Sequence, residues 1–272
     1  MSRADEAFMP PDMVQRVLDQ ATGDVVLIGG QALAFWMGHY GIRQPVDGAP
    51  AISRDVDFFT AHAGDESPLR RFAQAIGGHA YPTPPHGLSA LVGSAIAPAG
   101  DGRIYNVDLL HKVVGLTRSH VRENAVEVDV GGGRILHVLH PIDVLQSRNA
   151  NLHELAEKQD EAGCLQLRLA IEVARRYLEE AIDAAECESG GDRAKRDRAV
   201  LRIIADVAAY AREDAARKNA DRYGIFLADA IPAWRIASPA FRERQWPRLR
   251  RLMSPAYAGE CESRAARESA ER

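Results

Sequence analysis

Asp55 and Asp57 stand one residue apart in Asp55-Val56-Asp57-Phe58-Phe59, a run that alternates polar and apolar at its start and reads as a strand. Side chains two positions apart on a strand leave by the same face, so both carboxylates project together. Two anions that close resist joint ionisation unless a cation lies between them. Donors that are all oxygen select Mg²⁺ or Mn²⁺. Asp108 is the single acid of a second strand-like run, Ile104-Tyr105-Asn106-Val107-Asp108-Leu109-Leu110. Three acids on neighbouring strands suit two metal ions, one for an attacking oxygen and one for phosphates.

Upstream, the apolar run Val25-Val26-Leu27-Ile28 suits a buried strand and ends in Gly29-Gly30, after which Gln31 opens a helix-forming segment. A strand that ends in glycines and enters a helix turns backbone N–H groups and the positive end of the helix dipole toward an anion, and phosphate fits that place. Taken singly, a glycine pair is most simply a turn and an Asp-x-Asp a solvated surface feature. The order gives them weight: strand, Gly-Gly, helix, Asp-x-Asp beginning 25 positions after Gly30, then one acid on a later strand.

The elements that must position these residues follow from periodicity. A helix is expected over 12–20, a strand over 25–28, a helix over 31–40, a strand over 55–59 and a helix over 69–76. Two strand-like runs, 88–97 and 103–110, are joined by the hairpin-like Pro98-Ala99-Gly100-Asp101-Gly102, and another pair, 126–130 and 134–139, meets across Gly131-Gly132-Gly133. Residues 1–140 therefore read as an α/β (α+β) domain with a mixed or antiparallel sheet. From Pro141 the character changes to Ala-, Leu-, Glu- and Arg-rich segments with helical spacing over 142–150, 152–185 and 197–219, so 141–272 reads as a helical domain with a loose polar tail over 258–272.

Composition narrows the classes. With 272 residues, 46% hydrophobic and 26% charged, the chain has a globular composition, and a net charge of −4 gives no global excess of positive charge for coating nucleic acid or membrane. The longest apolar stretches fall short of the roughly 20 residues that span a bilayer, and Met1 to Pro11 lack a signal peptide's pattern, so no membrane role and a cytoplasmic setting are expected. Cys164, Cys187 and Cys261 are odd in number and far apart, which predicts neither a disulfide framework nor a zinc site. The nine histidines show no metal-binding spacing, and no serine sits in a nucleophile elbow.

The ordered set Gly29-Gly30-Gln31, Asp55-x-Asp57 and Asp108 resembles the nucleotidyltransferase superfamily that includes DNA polymerase beta. Within it, Leu27-Ile28-Gly29-Gly30-Gln31-Ala32-Leu33-Ala34 and Ser53-Arg54-Asp55-Val56-Asp57-Phe58-Phe59 look most like nucleotidyltransferases of the abortive-infection toxin type, which pair a catalytic domain with a helical one. The resemblance implies a nucleotidyltransferase-like mixed-sheet domain followed by a helical domain. It also implies transfer of a nucleoside monophosphate from a nucleoside triphosphate to an acceptor hydroxyl, ATP being one such donor. Asp55, Asp57 and Asp108 would be the catalytic and metal residues for Mg²⁺ or Mn²⁺. Gly29, Gly30 and Gln31 would hold the nucleotide, with Arg54 and Lys158, and also Arg43 or Lys112, as cations for the triphosphate. Gln31 stands where many members carry Ser, which shifts phosphate binding toward backbone N–H groups. In the second half Arg148 stands where that type often has Lys, and Gln159 splits Lys158 from Asp160.

The implied acceptor is RNA (tRNA among them), a protein or a small molecule, and an antitoxin protein is the implied partner of a toxin. Two other readings stand beside it: a non-catalytic nucleotide-binding or scaffold module of the same fold, and an antibiotic-modifying nucleotidyltransferase whose pocket acids would be Glu154, Glu157, Asp160 and Glu161. Between Trp234 and Arg251, six arginines face a single acid with Trp234, Phe241 and Trp246 interleaved. That mixture suits a single-stranded or tRNA-like ligand, or, more plainly, aromatics that plug a helical core beneath solvated arginines.

Overall fold

The computed structural model describes residues 6–43, 54–84, 89–100, 102–257, 259 and 261. It divides into two compact units, Met1–Ser147 and Arg148–Arg272. The tail expected to be loose lies, apart from residues 259 and 261, outside the described residues.

The first unit is a mixed α/β unit built on a seven-stranded sheet. Its chain order is α1 (Pro11–Leu18), β1 (Val25–Ile28), α2 (Gly29–His39), β2 (Val56–Thr60), α3 (Ser67–Ile76), β3 (His79–Pro82), β4 (Leu91–Pro98), β5 (Ile104–Leu110), α4 (Arg118–Asn124), β6 (Val126–Asp129) and β7 (Ile135–Val138), after which α5 (Pro141–Glu154) begins in this unit and ends in the second. The strand order is β3-β4-β5-β2-β1-β7-β6. β2 lies antiparallel to β1 and parallel to β5, and β7 lies parallel to β1, so the sheet is mixed. The two expected hairpins are present as β4–β5 and β6–β7, both antiparallel.

Four apolar residues bury β1 completely, as a strand covered on both faces requires. On β2 the alternation separates two faces: Phe58 stacks on Phe72 of α3 with ring centroids 4.4 Å apart, and Asp57 leaves by the opposite face. α2 is anchored beside β1 by the Trp36 indole N–H, which donates to the Leu139 carbonyl at 2.8 Å. α3 ends on Gly77 in the left-handed region (φ 67°), the C-terminal stop that a glycine accommodates without strain.

Two elements escape the periodicity reading. β3, His-Ala-Tyr-Pro, is an edge strand, where Pro82 loses nothing because its missing N–H would face no neighbour. α4 buries Val121 as its one apolar anchor and is started by the Thr117 hydroxyl accepting from the His120 N–H at 3.3 Å.

The second unit is helical, with α6 (Glu161–Glu188), α7 (Arg193–Ile203), α8 (Ala205–Tyr210), α9 (Asp214–Tyr223) and α10 (Trp246–Met253). The break expected between the helical segments 142–150 and 152–185 lies further on, because α5 continues to Glu154 and α6 begins only at Glu161. A 3₁₀ turn at Ala156–Lys158 intervenes, and the Asp160 carboxylate caps α6 by accepting from the Gly163 N–H at 2.7 Å. A Cβ on Gly163 would stand 1.8 Å from the Lys158 carbonyl oxygen, so only glycine lets that turn pack against the start of α6. The segment expected as one helix over 197–219 is three, the first capped by Asp192, whose carboxylate accepts from the N–H groups of Ala194 and Lys195 at 2.9 and 3.0 Å. Among the described residues no helix is long and apolar enough to cross a membrane.

Candidate metal centre of the sheet

Sheet register brings the three acids together. Asp57 is the partner of Ile28 on β1 and of Asp108 on β5, so the end of β1 and the acids of β2 and β5 share one row. Asp55 immediately precedes β2, two positions from Asp57 and on the same side. One carboxylate oxygen from each of Asp55, Asp57 and Asp108 lies within 4.8 Å of the others, and all three residues are half-buried. Oxygens about 2.1 Å from one Mg²⁺ lie about 3.0 Å apart when cis and about 4.2 Å when trans, so a common ion would draw the three carboxylates closer together.

Gly29 is the residue that makes the cluster fit. It opens α2 with φ +70°, and a Cβ there would stand 2.1 Å from Asp57 Oδ2. Glycine is therefore required twice, for the left-handed backbone and for the space the carboxylate occupies. The same closeness sets the Asp57 carboxylate against the first turn of α2, whose N-terminus carries no side-chain cap and whose dipole favours an anion. Gly30 is buried beside it, and the Gln31 side-chain amide reaches the Asp55 carbonyl at 3.5 Å, at the outer limit of a hydrogen bond.

Burial pushes the Asp108 carboxyl above the usual carboxylate range, and the nearby Asp55 carboxylate pushes the same way. The Ser94 hydroxyl and the Asn106 side chain oppose that rise. Ser94, paired with Asp108 across the β4–β5 ladder, donates to Asp108 Oδ1 at 2.5 Å. Asn106 is two residues from Asp108 on the same face of β5 and is buried, with its Oδ1 unpartnered among the described residues. An anionic cluster with one member pressed toward its neutral form is the electrostatic condition that a divalent cation relieves.

The other expected site residues have settings of their own. Arg54, in the bend before β2, turns its guanidinium 5.1 Å over the Phe8 ring and donates to the Glu6 carbonyl at 3.3 Å. Lys158 belongs to the second unit, half-buried on the 3₁₀ turn. Arg148, also in the second unit, is buried and donates to Gln166 Oε1 at 3.1 Å. Glu154 and Glu157 are exposed, and Asp160 is committed to capping α6.

Sequence reasoning passed over Ser94 and Asn106. Asn106 carries a usable signal, since it shares period 2 with Asp108. Ser94 carries none, because its position depends on the pairing of β4 with β5.

Compared with known proteins, the chain matches no family model and no curated protein.

Proposed function

We propose that this chain is a divalent-metal-dependent nucleotidyltransferase, moving a nucleoside monophosphate from a nucleoside triphosphate to an acceptor hydroxyl. The observation that supports the reading most strongly is the convergence of the Asp55, Asp57 and Asp108 carboxylates within 4.8 Å beside the Gly29 turn. A helix that opens at Gly29-Gly30-Gln31, where the N-cap Ile28 has no side chain to cap it, presents the positive end of its dipole, which suits the triphosphate's oxygens. In the reaction the acceptor oxygen bonds to the α-phosphorus, the bond from that phosphorus to the bridging oxygen breaks, and pyrophosphate leaves with the electron pair.

Asp55 and Asp57 are the ligands that would hold metal on the nucleotide, and Asp108 the third ligand, on the acceptor side. Mg²⁺ or Mn²⁺ bound there supplies charge neutralisation and Lewis-acid polarisation of phosphoryl and hydroxyl oxygens. Asp108, whose carboxyl binds a proton more readily than an exposed one, also suits the receipt of the acceptor hydroxyl's proton. Ser94 and Asn106 orient Asp108 for that task.

The test is incubation of the purified chain with each of the four α-³²P nucleoside triphosphates and Mg²⁺, offering RNA, protein and small-molecule acceptors separately. Label transferred to one pool by the parent and lost in Asp57→Ala supports the reading and names the acceptor class. No transfer to any pool, with calorimetry still detecting nucleotide binding, would replace it with a non-catalytic binding module.

A further inference from the structure

The second unit concentrates charge of the opposite sign. Between Trp234 and Leu252 the chain carries six arginines, no lysine and one acid, Glu243. Arg235 is paired with Asp183, Arg242 donates to the Ala237 carbonyl at 3.1 Å, and Arg250 is half-buried. Arg244, Arg248 and Arg251 are exposed and, among the described residues, make no ion pair or hydrogen bond.

Their placement is regular. The π-helical turn Phe241–Gln245 runs directly into α10, and spacings of four and three residues put Arg244, Arg248 and Arg251 along one side of the helix. At 1.5 Å of rise per residue the stripe is roughly 10 Å long. The opposite side is already occupied: Met253 is buried, and Trp246 stacks on the buried Phe241 with centroids 5.8 Å apart. Leu252, 55% exposed, borders the stripe.

Helix stability does not account for this arrangement. Like charges four apart oppose helix formation, and Arg244 and Arg248 lie upstream of the last turn, where the dipole gives a cation no help. A lipid surface is a poor match, because an interfacial helix needs a free apolar face and this one is spent on the core. Three unpaired guanidiniums in a row, with no lysine among them, match a strand of phosphates, which guanidinium binds bidentately, and unpaired bases, on which its plane stacks. The exposed Leu252 adds apolar surface that a base can cover and that a duplex, with its bases stacked inside, cannot use.

We propose that the stripe of Arg244, Arg248 and Arg251 docks the backbone of a single-stranded nucleic acid. This surface does not depend on the acidic cluster or on the activity proposed for it.

The experiment is fluorescence anisotropy on the full chain with a labelled oligouridylate, an oligothymidylate and a duplex of equal length, each titrated across a series of KCl concentrations. The parent binds a single strand more tightly than the duplex, and whichever oligonucleotide binds better identifies the sugar. Combining Arg244→Gln, Arg248→Gln and Arg251→Gln lowers the slope of log affinity against log salt by about 2, from about 0.7 per phosphate contact, and weakens binding by roughly tenfold or more. The combination Arg193→Gln, Arg202→Gln and Arg217→Gln removes the same charge from exposed arginines of the same unit and leaves the slope at the parental value. If the triple stripe variant fails to fold, each single substitution still costs about 0.7 of slope. An unchanged slope in the stripe variants, an equal loss in the control, or duplex binding as tight as single-strand binding would overturn the proposal.

Discussion

The acidic cluster of the first unit and the basic stripe of the second are built in opposite ways. Asp108 comes from a position more than 50 residues beyond Asp55 and Asp57, and the three meet only because β2 pairs with β5 in one register, with Gly29 clearing the space. The stripe comes from eight consecutive residues of one helical run, and no distant element is needed to align it. Half-buried anions drawn together by a sheet form a site that costs folding energy until a cation arrives. Exposed cations spread along a helix cost little and need only salt-sensitive, long-range attraction to act. The cluster therefore responds sharply to single substitutions, and the stripe in proportion to charge removed.

The largest effect is expected from Gly29→Ala. A methyl group 2.1 Å from Asp57 Oδ2 displaces the carboxylate, and a non-glycine residue at φ +70° adds strain of about 1–3 kcal/mol. Thermal unfolding should fall accordingly, and calorimetric Mn²⁺ binding should vanish. Asp108→Asn separates binding from folding. It should abolish Mn²⁺ binding while raising the melting temperature of the metal-free chain, because it removes a buried charge beside Asp55.

The titration of Asp108 gives the next effect. Its folded-state pKa is raised, so its contribution to stability is fully present below the unfolded value and is lost as pH rises through the folded one. Metal and proton compete for the carboxylate, so Mn²⁺ affinity should climb with pH to above the ordinary carboxylate range, as calorimetry across mildly acidic buffers would read. Asp24 behaves oppositely. Burial raises its pKa, but the Arg71 guanidinium at 2.8 Å and the Thr22 hydroxyl outweigh it and hold it low. That pair's contribution is present above the unfolded value and is lost as pH falls through the folded one.

Smaller again is Ser94→Ala, which removes the 2.5 Å hydrogen bond to Asp108. It should weaken Mn²⁺ binding by about 1–2 kcal/mol, or roughly tenfold, with little change in melting temperature. The smallest is Asp160→Ala, which uncaps α6 and should cost about 1 kcal/mol in denaturant unfolding while leaving Mn²⁺ binding untouched.

The same contrast explains what could be read from the sequence. The acids, the Gly-Gly turn and the strands around them were legible because chemistry and period coincide: Val25–Ile28 is apolar throughout, and Asp57 alternates with buried neighbours. The order of strands was not, since no local signal says that β2 lies between β1 and β5. For the same reason Ser94, delivered by β4, stayed hidden. In the helical half, composition revealed the class and concealed the breaks. Helix-forming Leu, Glu, Ala and Lys continue through 152–158, and the interruption rests on two local devices, the Asp160 cap and the missing Cβ of Gly163. Arg54 looked like a phosphate partner by its neighbours, whereas in the bend before β2 its guanidinium lies over Phe8.

The most direct test of the central claim, that three carboxylates converge to hold a divalent ion, is Mn²⁺ titration of the parent beside Asp57→Asn, followed by calorimetry and by electron paramagnetic resonance of the bound ion. Saturable Mn²⁺ binding by the parent, displaced by Mg²⁺ and abolished in Asp57→Asn, is the predicted result. Failure of the parent to bind Mn²⁺, or undiminished binding by a folded Asp57→Asn variant, would contradict it.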